Sequence, residues 1–138
     1  MGCEIFILPS IRRQISSASV DRFSAVKVDK TYFLKRTSDL SEMDRHVVLQ
    51  IDEIYTAQRV EYTGGNIVGL SENGSVAKTG LNFMVTSLSS HYEDVIMLIP
   101  MDRLNALLMK DIFFSIMKEI QSFVCVVGIS TDNLATNR

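Results

Sequence analysis

Two aspartates stand at positions in this sequence where chemistry could occur. Asp52 interrupts an apolar run at residues 47–55, and Asp132 follows shortly after a second apolar run at residues 123–129. Each run is apolar at odd and even positions, which is typical of a strand buried on both faces of a sheet. A carboxylate in such a strand is costly unless it is paired, protonated or bound to a metal. Asp52 therefore needs an explanation, whereas Asp132 lies just past the end of its strand.

Each aspartate also has a purely structural explanation. If the first strand ends before Asp52, then Asp52 and Glu53 form its solvated end. Asp132, in Thr131-Asp132-Asn133, is suited to an Asx turn. Strand alternation places Glu53 on the opposite side from Asp52. We therefore expect Glu53 to have a structural role, or at most to support the metal ligands without binding the ion itself.

The segment between the two runs predicts how these aspartates could meet. Residues 101–121 predict an amphipathic helix, with an apolar stripe at Leu104, Leu107, Leu108, Ile112, Phe113, Ile116, Met117 and Ile120. A helical crossover favours parallel strands whose carboxyl ends share one edge of the sheet. Two carboxylates at that edge repel each other unless a divalent cation joins them, and Mg²⁺ takes such hard oxygen ligands. Adjacent strands would therefore make Asp52 and Asp132 a metal site.

The remaining patterns predict an α/β fold with a mixed β-sheet. Thr63-Gly64-Gly65-Asn66 predicts a tight hairpin turn between residues 60–62 and 67–70. Two further strands are expected at Leu81–Leu88 and Val95–Ile99, the second ended by Pro100. The order is strand, hairpin, strand, strand, helix, strand. We expect the first strand to pair in parallel with the last and antiparallel with Leu81–Leu88, and one sheet face to lack a helix.

Composition is that of one globular domain. The chain has 138 residues, of which 46% are hydrophobic and 22% charged. Residues 1–46 predict a polar lead-in, partly helical or irregular, and residues 47–138 the folded domain. The first part carries 8 Lys or Arg and 6 Asp or Glu, a charge of +2, and the second carries 6 and 10, a charge of −4. Residues 47–138, being acidic, are not expected to bind nucleic-acid phosphates by themselves.

Several classes of protein are excluded by the same composition. Cys3 and Cys125 lie at opposite ends of the chain, and no Cys/His cluster has metal-ligand spacing, so neither a disulfide framework nor a zinc finger organises the fold. Cys125, inside an apolar run, is expected to be a buried, inert thiol. No apolar run approaches the roughly 18 residues of a membrane span, and no secretion signal is evident. We expect a nuclear or cytoplasmic protein.

A set of short motifs carries a family resemblance. In order, these are Ile51-Asp52-Glu53-Ile54-Tyr55, Val60-Glu61-Tyr62 with Gly65-Asn66-Ile67-Val68-Gly69, Phe83-Met84-Val85, Ile99-Pro100-Met101 and residues 131–138. Together they resemble the RNase H-like catalytic domain of P element transposases, the group that includes the THAP-domain transposases. The segment Leu8–Arg12 also resembles the lead-in of that family.

The resemblance implies a DDE site, in which three acids hold two metal ions for phosphodiester chemistry. The first acid corresponds to Asp52 and the second to Asp132, whereas the third and the zinc-coordinating DNA-binding module have no counterpart in residues 1–138. We therefore expect a truncated RNase H-like domain, a fragment or remnant of a transposase that is inactive alone. Its binding of Mg²⁺ or Mn²⁺ would be weak or absent, and DNA would be a partner only in a full-length transposase.

Two other hypotheses remain open at this point. The first is a non-catalytic interaction module derived from a transposase, which would self-associate or pair with a full-length transposase. The second is an unrelated mixed-sheet domain in which Asp52 and Asp132 never meet.

Overall fold

A computed structural model describes residues 28–71, 73–103 and 106–131. Its elements are, in order, α1 (Lys30–Thr37), a 3₁₀ turn (Met43–Arg45), β1 (His46–Tyr55), β2 (Glu61–Thr63), β3 (Asn66–Val68), β4 (Thr79–Ser87), β5 (Glu93–Met101), α2 (Ala106–Ile120) and β6 (Cys125–Thr131). Several features named above lie outside the described residues: Cys3, the Leu8–Arg12 segment, Leu104 of the predicted helix, and Asp132 with the residues that follow it. Neither described helix is long and apolar enough to cross a membrane.

The main sheet has four strands in the order β5-β4-β1-β6. Strand β1 is antiparallel to β4 and parallel to β6, as the helical crossover predicts. Strands β2 and β3 pair in a separate hairpin whose turn residues, Gly64 and Gly65, have φ of +58° and +86°. Positive φ at both turn positions is the reason for glycine there. The predicted mixed sheet and hairpin are therefore confirmed.

The hydrophobic core lies on one face of this sheet. Side chains alternate along β1, so that Val47, Leu49 and Ile51 are buried while their neighbours are not. The same cluster includes Leu81, Phe83 and Val85 of β4, Ile112, Ile116 and Ile120 of α2, and Phe33 of α1. Both described helices therefore cover the same face. Helix α1 lies before the predicted boundary at residue 46, and the division of the chain at that boundary stays a prediction.

The opposite side of the sheet, which we call the open face, carries no described helix. It is formed by the alternate residues Val48, Gln50 and Asp52 of β1, Asn82, Met84 and Thr86 of β4, and Gly128 and Ser130 of β6. Asp52 is exposed, and Val48 and Gln50 are partly exposed. The prediction that β1 is buried on both faces is therefore wrong, because only the face under the helices is closed. The expectation that one face lacks a helix holds for the described residues.

Pro100 does not end its strand as predicted, since β5 continues to Met101. Strand β5 is at the edge of the sheet, where a residue without a backbone N–H is tolerated. The stripe predicted for the helix is also wrong at one position, because Leu107 is 75% exposed. Leu107 lies in the first described turn of α2, which begins at Ala106. The residues of α2 that are buried against the sheet, such as Ile112 and Ile116, lie further along the helix.

The final strand begins later than the apolar run suggests. It starts at Cys125, and Phe123 instead packs edge-to-face against Phe33, with ring centroids 5.4 Å apart. Cys125 is exposed, so the expectation of a buried thiol is wrong. An apolar neighbourhood in sequence does not imply burial here, because β6 lies at the other edge of the sheet.

A polar cluster attaches α1 to β5. The Asp94 side chain, 5% exposed, accepts hydrogen bonds from Arg36 Nε at 2.8 Å and from Tyr32 Oη at 3.0 Å. The hydrogen bond to Asp94 raises the pKa of Arg36. The guanidinium of Arg36 also lies 5.9 Å from the ring centre of Tyr92, whose hydroxyl oxygen is buried without a hydrogen-bond partner. Burial, followed by the charge of Asp94, raises the pKa of Tyr92.

Stability at alkaline pH should depend on Tyr92. Because its pKa in the folded protein is above the ordinary value of 10.0, this group leaves the unfolding free energy unchanged below that pH and lowers it as the pH rises further. The variant Tyr92→Phe removes both the titration and a buried hydroxyl without a partner. We expect unchanged or higher stability at pH 7 and a shallower loss above pH 10.0, measured by urea denaturation.

The matched control is Tyr62→Phe, because Tyr62 is an exposed tyrosine in β2. This variant should lose stability with pH as the unaltered protein does. Equal alkaline slopes for Tyr92→Phe and the unaltered protein would contradict the assignment.

Candidate metal site at the carboxyl end of β1

Asp52 lies near the carboxyl end of β1, on the open face. It is exposed and stands directly opposite Asn82 of β4 in the antiparallel register. The next residue, Glu53, is opposite Leu81, which is buried in the core. Alternation therefore directs Glu53 to the other side of the sheet, as its parity in the sequence predicts.

The second candidate acid, Asp132, follows β6, the strand that pairs in parallel with β1. Ile51 pairs with Thr131, and these two residues directly precede Asp52 and Asp132 in the sequence. Asp132 itself lies outside the described residues. The structure therefore places the two strand ends side by side, and the meeting of the two carboxyl groups stays a prediction.

A register shift in this pairing decides which residues are neighbours. Val47 pairs with Val126 but Val48 pairs with Gly128, so that Val127 is an extra residue in β6. An extra residue of this kind changes the side to which the following side chains point. Without the shift, Thr131 rather than Asp132 would be the residue aligned with Asp52. The alternation of apolar residues in the sequence does not predict the extra residue at Val127.

The described residues contain no group of three or more His, Cys, Asp or Glu that could hold a metal ion. The residue opposite Asp52 is Asn82, whose side-chain oxygen Oδ1 is buried and has no hydrogen-bond partner. Carboxylate and amide oxygens are the hard ligands that Mg²⁺ and Ca²⁺ prefer. These two residues fit part of a site for a hard divalent cation.

Asn82 was missed by sequence reasoning. A polar residue between Leu81 and Phe83 is visible in the sequence, but its alignment with Asp52 depends on the register between β1 and β4. That register is a property of the folded sheet, since strand alternation alone identifies faces and not partners.

A separate apolar groove lies on the core side of the same sheet edge. It has a volume of about 360 Å³ and lies between β6 and α2, lined mainly by Ile51, Ile129, Met109, Phe113 and Phe114. The groove contains no acidic residue. It is therefore unsuited to metal binding, and its apolar lining is suited to contact with another polypeptide.

Comparisons with known proteins agree with this fold. Residues 29–138 match the protein family described as TNP-like, RNase H N-terminal domain. No curated protein matches the sequence. Among solved structures, the chain is similar to one titled "Drosophila P element transposase strand transfer complex", with a TM-score of 0.58 and 18% sequence identity. The similarity covers 93% of this chain and 27% of that chain, so the present chain spans about a quarter of the transposase's length.

These findings confirm the α/β fold and the resemblance to P element transposases that the sequence motifs indicate. The family match covers 110 of the 138 residues, from Asp29 to Arg138. The chain therefore belongs to the family of TNP-like RNase H N-terminal domains.

Proposed function

We propose that this chain is part of a P element-type DNA transposase and carries the first two metal-binding acids of a DDE site, Asp52 and Asp132. One observation carries the proposal. Strand β1 pairs in parallel with β6, and the last pair of that register joins Ile51 to Thr131. The next residue in each chain segment is an aspartate, one of which is exposed on the open face.

The two carboxylates have a defined chemical role in this proposal. A divalent cation at such a site activates a water or hydroxyl nucleophile and stabilises charge on phosphate oxygens. Asp52 is suited to binding the cation because its side chain is exposed at the end of a central strand. The rigid sheet holds its backbone in place on both sides, so little conformational entropy is lost when the cation binds.

DNA is the substrate class of the whole protein in this proposal. The similar Drosophila transposase was solved as a strand transfer complex. Residues 47–138 have a net charge of −4, so the remaining parts of a full-length transposase would supply the attraction for phosphates.

The chain alone is proposed to be inactive. No third acid joins Asp52 among the described residues, and two carboxylates cannot hold both ions of a two-metal clamp. We therefore propose that residues 1–138 bind a metal ion weakly and do not catalyse a reaction by themselves.

Metal binding should depend on Asp52. We expect isothermal titration to show weak binding of Mn²⁺ and Mg²⁺ that Asp52→Asn abolishes, because the amide lacks the charge that attracts the ion. Asp132→Asn should weaken binding in the same way. The matched control is Glu53→Gln, which removes the adjacent acid on the opposite side of β1 and should leave binding unchanged. Unchanged binding in Asp52→Asn would place the metal elsewhere.

Nuclease and strand-transfer assays on the purified chain and its aspartate variants test whether the chain alone is active. We expect no cleavage or strand transfer of plasmid or oligonucleotide DNA in Mg²⁺ or Mn²⁺. Cleavage that disappears in both Asp52→Ala and Asp132→Ala would overturn the proposal of an inactive chain.

A second candidate function is that of a non-catalytic interaction module, and the outer edge of β6 favours it. Strand β6 has one neighbouring strand, β1, among the described residues. Its seven residues, Cys125–Thr131, include no charged residue and no proline, and Val127 and Ile129 are 49% and 53% exposed. An uncharged, exposed edge strand readily pairs with another strand.

The occupant that fits this edge is a second copy of the chain. Two copies of β6 can pair antiparallel about Gly128, and the absence of charge in the strand means that no like charges meet across the two-fold axis. The apolar groove between β6 and α2 lies beside this edge and would extend the contact.

A charge placed on the edge should prevent the dimer. We expect sedimentation velocity to show a concentration-dependent dimer that Ile129→Lys converts to monomer, because each copy then brings a like charge to the axis. The control is Leu88→Lys, at an exposed leucine after the end of β4. A monomer at all concentrations, or an undiminished dimer in Ile129→Lys, would overturn this second function.

A further inference from the structure

We propose that Asn82 is a ligand of the same cation as Asp52, through its side-chain oxygen Oδ1. This inference rests on the proposed metal site and adds to it a neutral oxygen ligand from the neighbouring strand. Neither the family description nor the sequence motifs assign any role to Asn82.

The register is the first observation. Asp52 and Asn82 are directly opposite in the antiparallel pair of β1 and β4. Residues in such positions point to the same face, with Cβ atoms about 4.5–5.5 Å apart. Both side chains are therefore on the open face, at a separation that one cation with oxygen ligands can bridge.

The second observation is the unmatched oxygen of Asn82. Its Oδ1 atom is buried and lacks a hydrogen-bond partner. Such atoms are uncommon in folded proteins, and each calls for an explanation such as an ion or water bound in the native state.

The four residues that neighbour Asn82 on this face of the sheet offer no side-chain donor to Oδ1. Across the strands it faces Asp52 on one side and Leu98 on the other, and along β4 its same-face neighbours are Gly80 and Met84. Leu98, Gly80 and Met84 have no side-chain donor, and an ionised aspartate only accepts hydrogen bonds. Asn82 Oδ1 thus has no side-chain donor among these four neighbours, and a cation held by Asp52 would supply the positive charge that this oxygen lacks.

A neutral ligand is also suited to phosphodiester chemistry. An amide oxygen contributes to the coordination of a hard cation without adding negative charge. The site therefore repels an approaching phosphate less than it would with an additional carboxylate. This difference also makes the ligand testable, because a carboxylate at the same position should bind the free ion more tightly.

The experiment is a titration of the purified chain with Mn²⁺, in which electron paramagnetic resonance measures the free ion. The variants are Asn82→Leu, which removes the oxygen, and Asn82→Asp, which replaces it with a charged one. We expect Asn82→Leu to weaken Mn²⁺ binding roughly tenfold and Asn82→Asp to strengthen it. A purely structural asparagine would not produce opposite changes of affinity in these two variants.

The matched control is Thr86→Val. Thr86 is on the same face of β4, and its Oγ1 is likewise buried without a partner, but the residue opposite is Val48 instead of a carboxylate. This variant should bind Mn²⁺ as the unaltered chain does. Circular dichroism with heating checks that each variant is folded, and Asn82→Ala, which also removes the oxygen, takes the place of Asn82→Leu if the leucine variant is not.

The outcomes separate this inference from the proposed function. If Asp52→Asn abolishes Mn²⁺ binding while both Asn82 variants bind as the unaltered chain does, the role of Asn82 is wrong and the metal site stands. If the unaltered chain binds no Mn²⁺, or binding survives in Asp52→Asn, the proposed site fails and the role of Asn82 fails with it.

Discussion

The parallel pairing of β1 with β6 is the constraint on which the rest of this structure depends. It makes β1 a central strand, held by β4 on one side and β6 on the other. Helix α2 must then cross one face of the sheet to connect β5 with β6, and the apolar core forms beneath it. The same pairing aligns the carboxyl ends of two strands, so the fold and the candidate site share one cause.

The two faces of the sheet consequently differ in what they can do. Helices α1 and α2 close one face with apolar side chains, and the ion pair of Arg36 with Asp94 attaches α1 to the edge strand β5. The open face carries the exposed Asp52, together with Asn82 Oδ1 and Thr86 Oγ1, which are buried without hydrogen-bond partners. Stability thus comes mainly from the closed face, which leaves the open face available for binding.

The sequence was sufficient for the strands and the crossover helix after Val47 and for their pairing, but not for α1 or for every strand end. The apolar runs predicted β1 and β6, Gly64-Gly65 predicted the hairpin, and the crossover helix implied parallel strands. Side-chain burial and strand register were predicted less well from the sequence, because both depend on which surfaces meet in the folded chain. Asp52 was expected in a strand buried on both faces and is exposed, whereas Asn82 acquires its position beside Asp52 only through the register with β4.

The proposed metal site is tested most directly by nuclear magnetic resonance, which locates a bound ion on the folded chain. Substoichiometric Mn²⁺ broadens the amide signals nearest to it. We expect broadening to begin at Ile51–Glu53, Leu81–Phe83 and Ser130–Thr131, the strand segments that surround Asp52 near the carboxyl end of β1. Broadening that begins instead at a distant segment such as the Gly64-Gly65 hairpin, with these three segments unaffected, would show that the ion binds elsewhere.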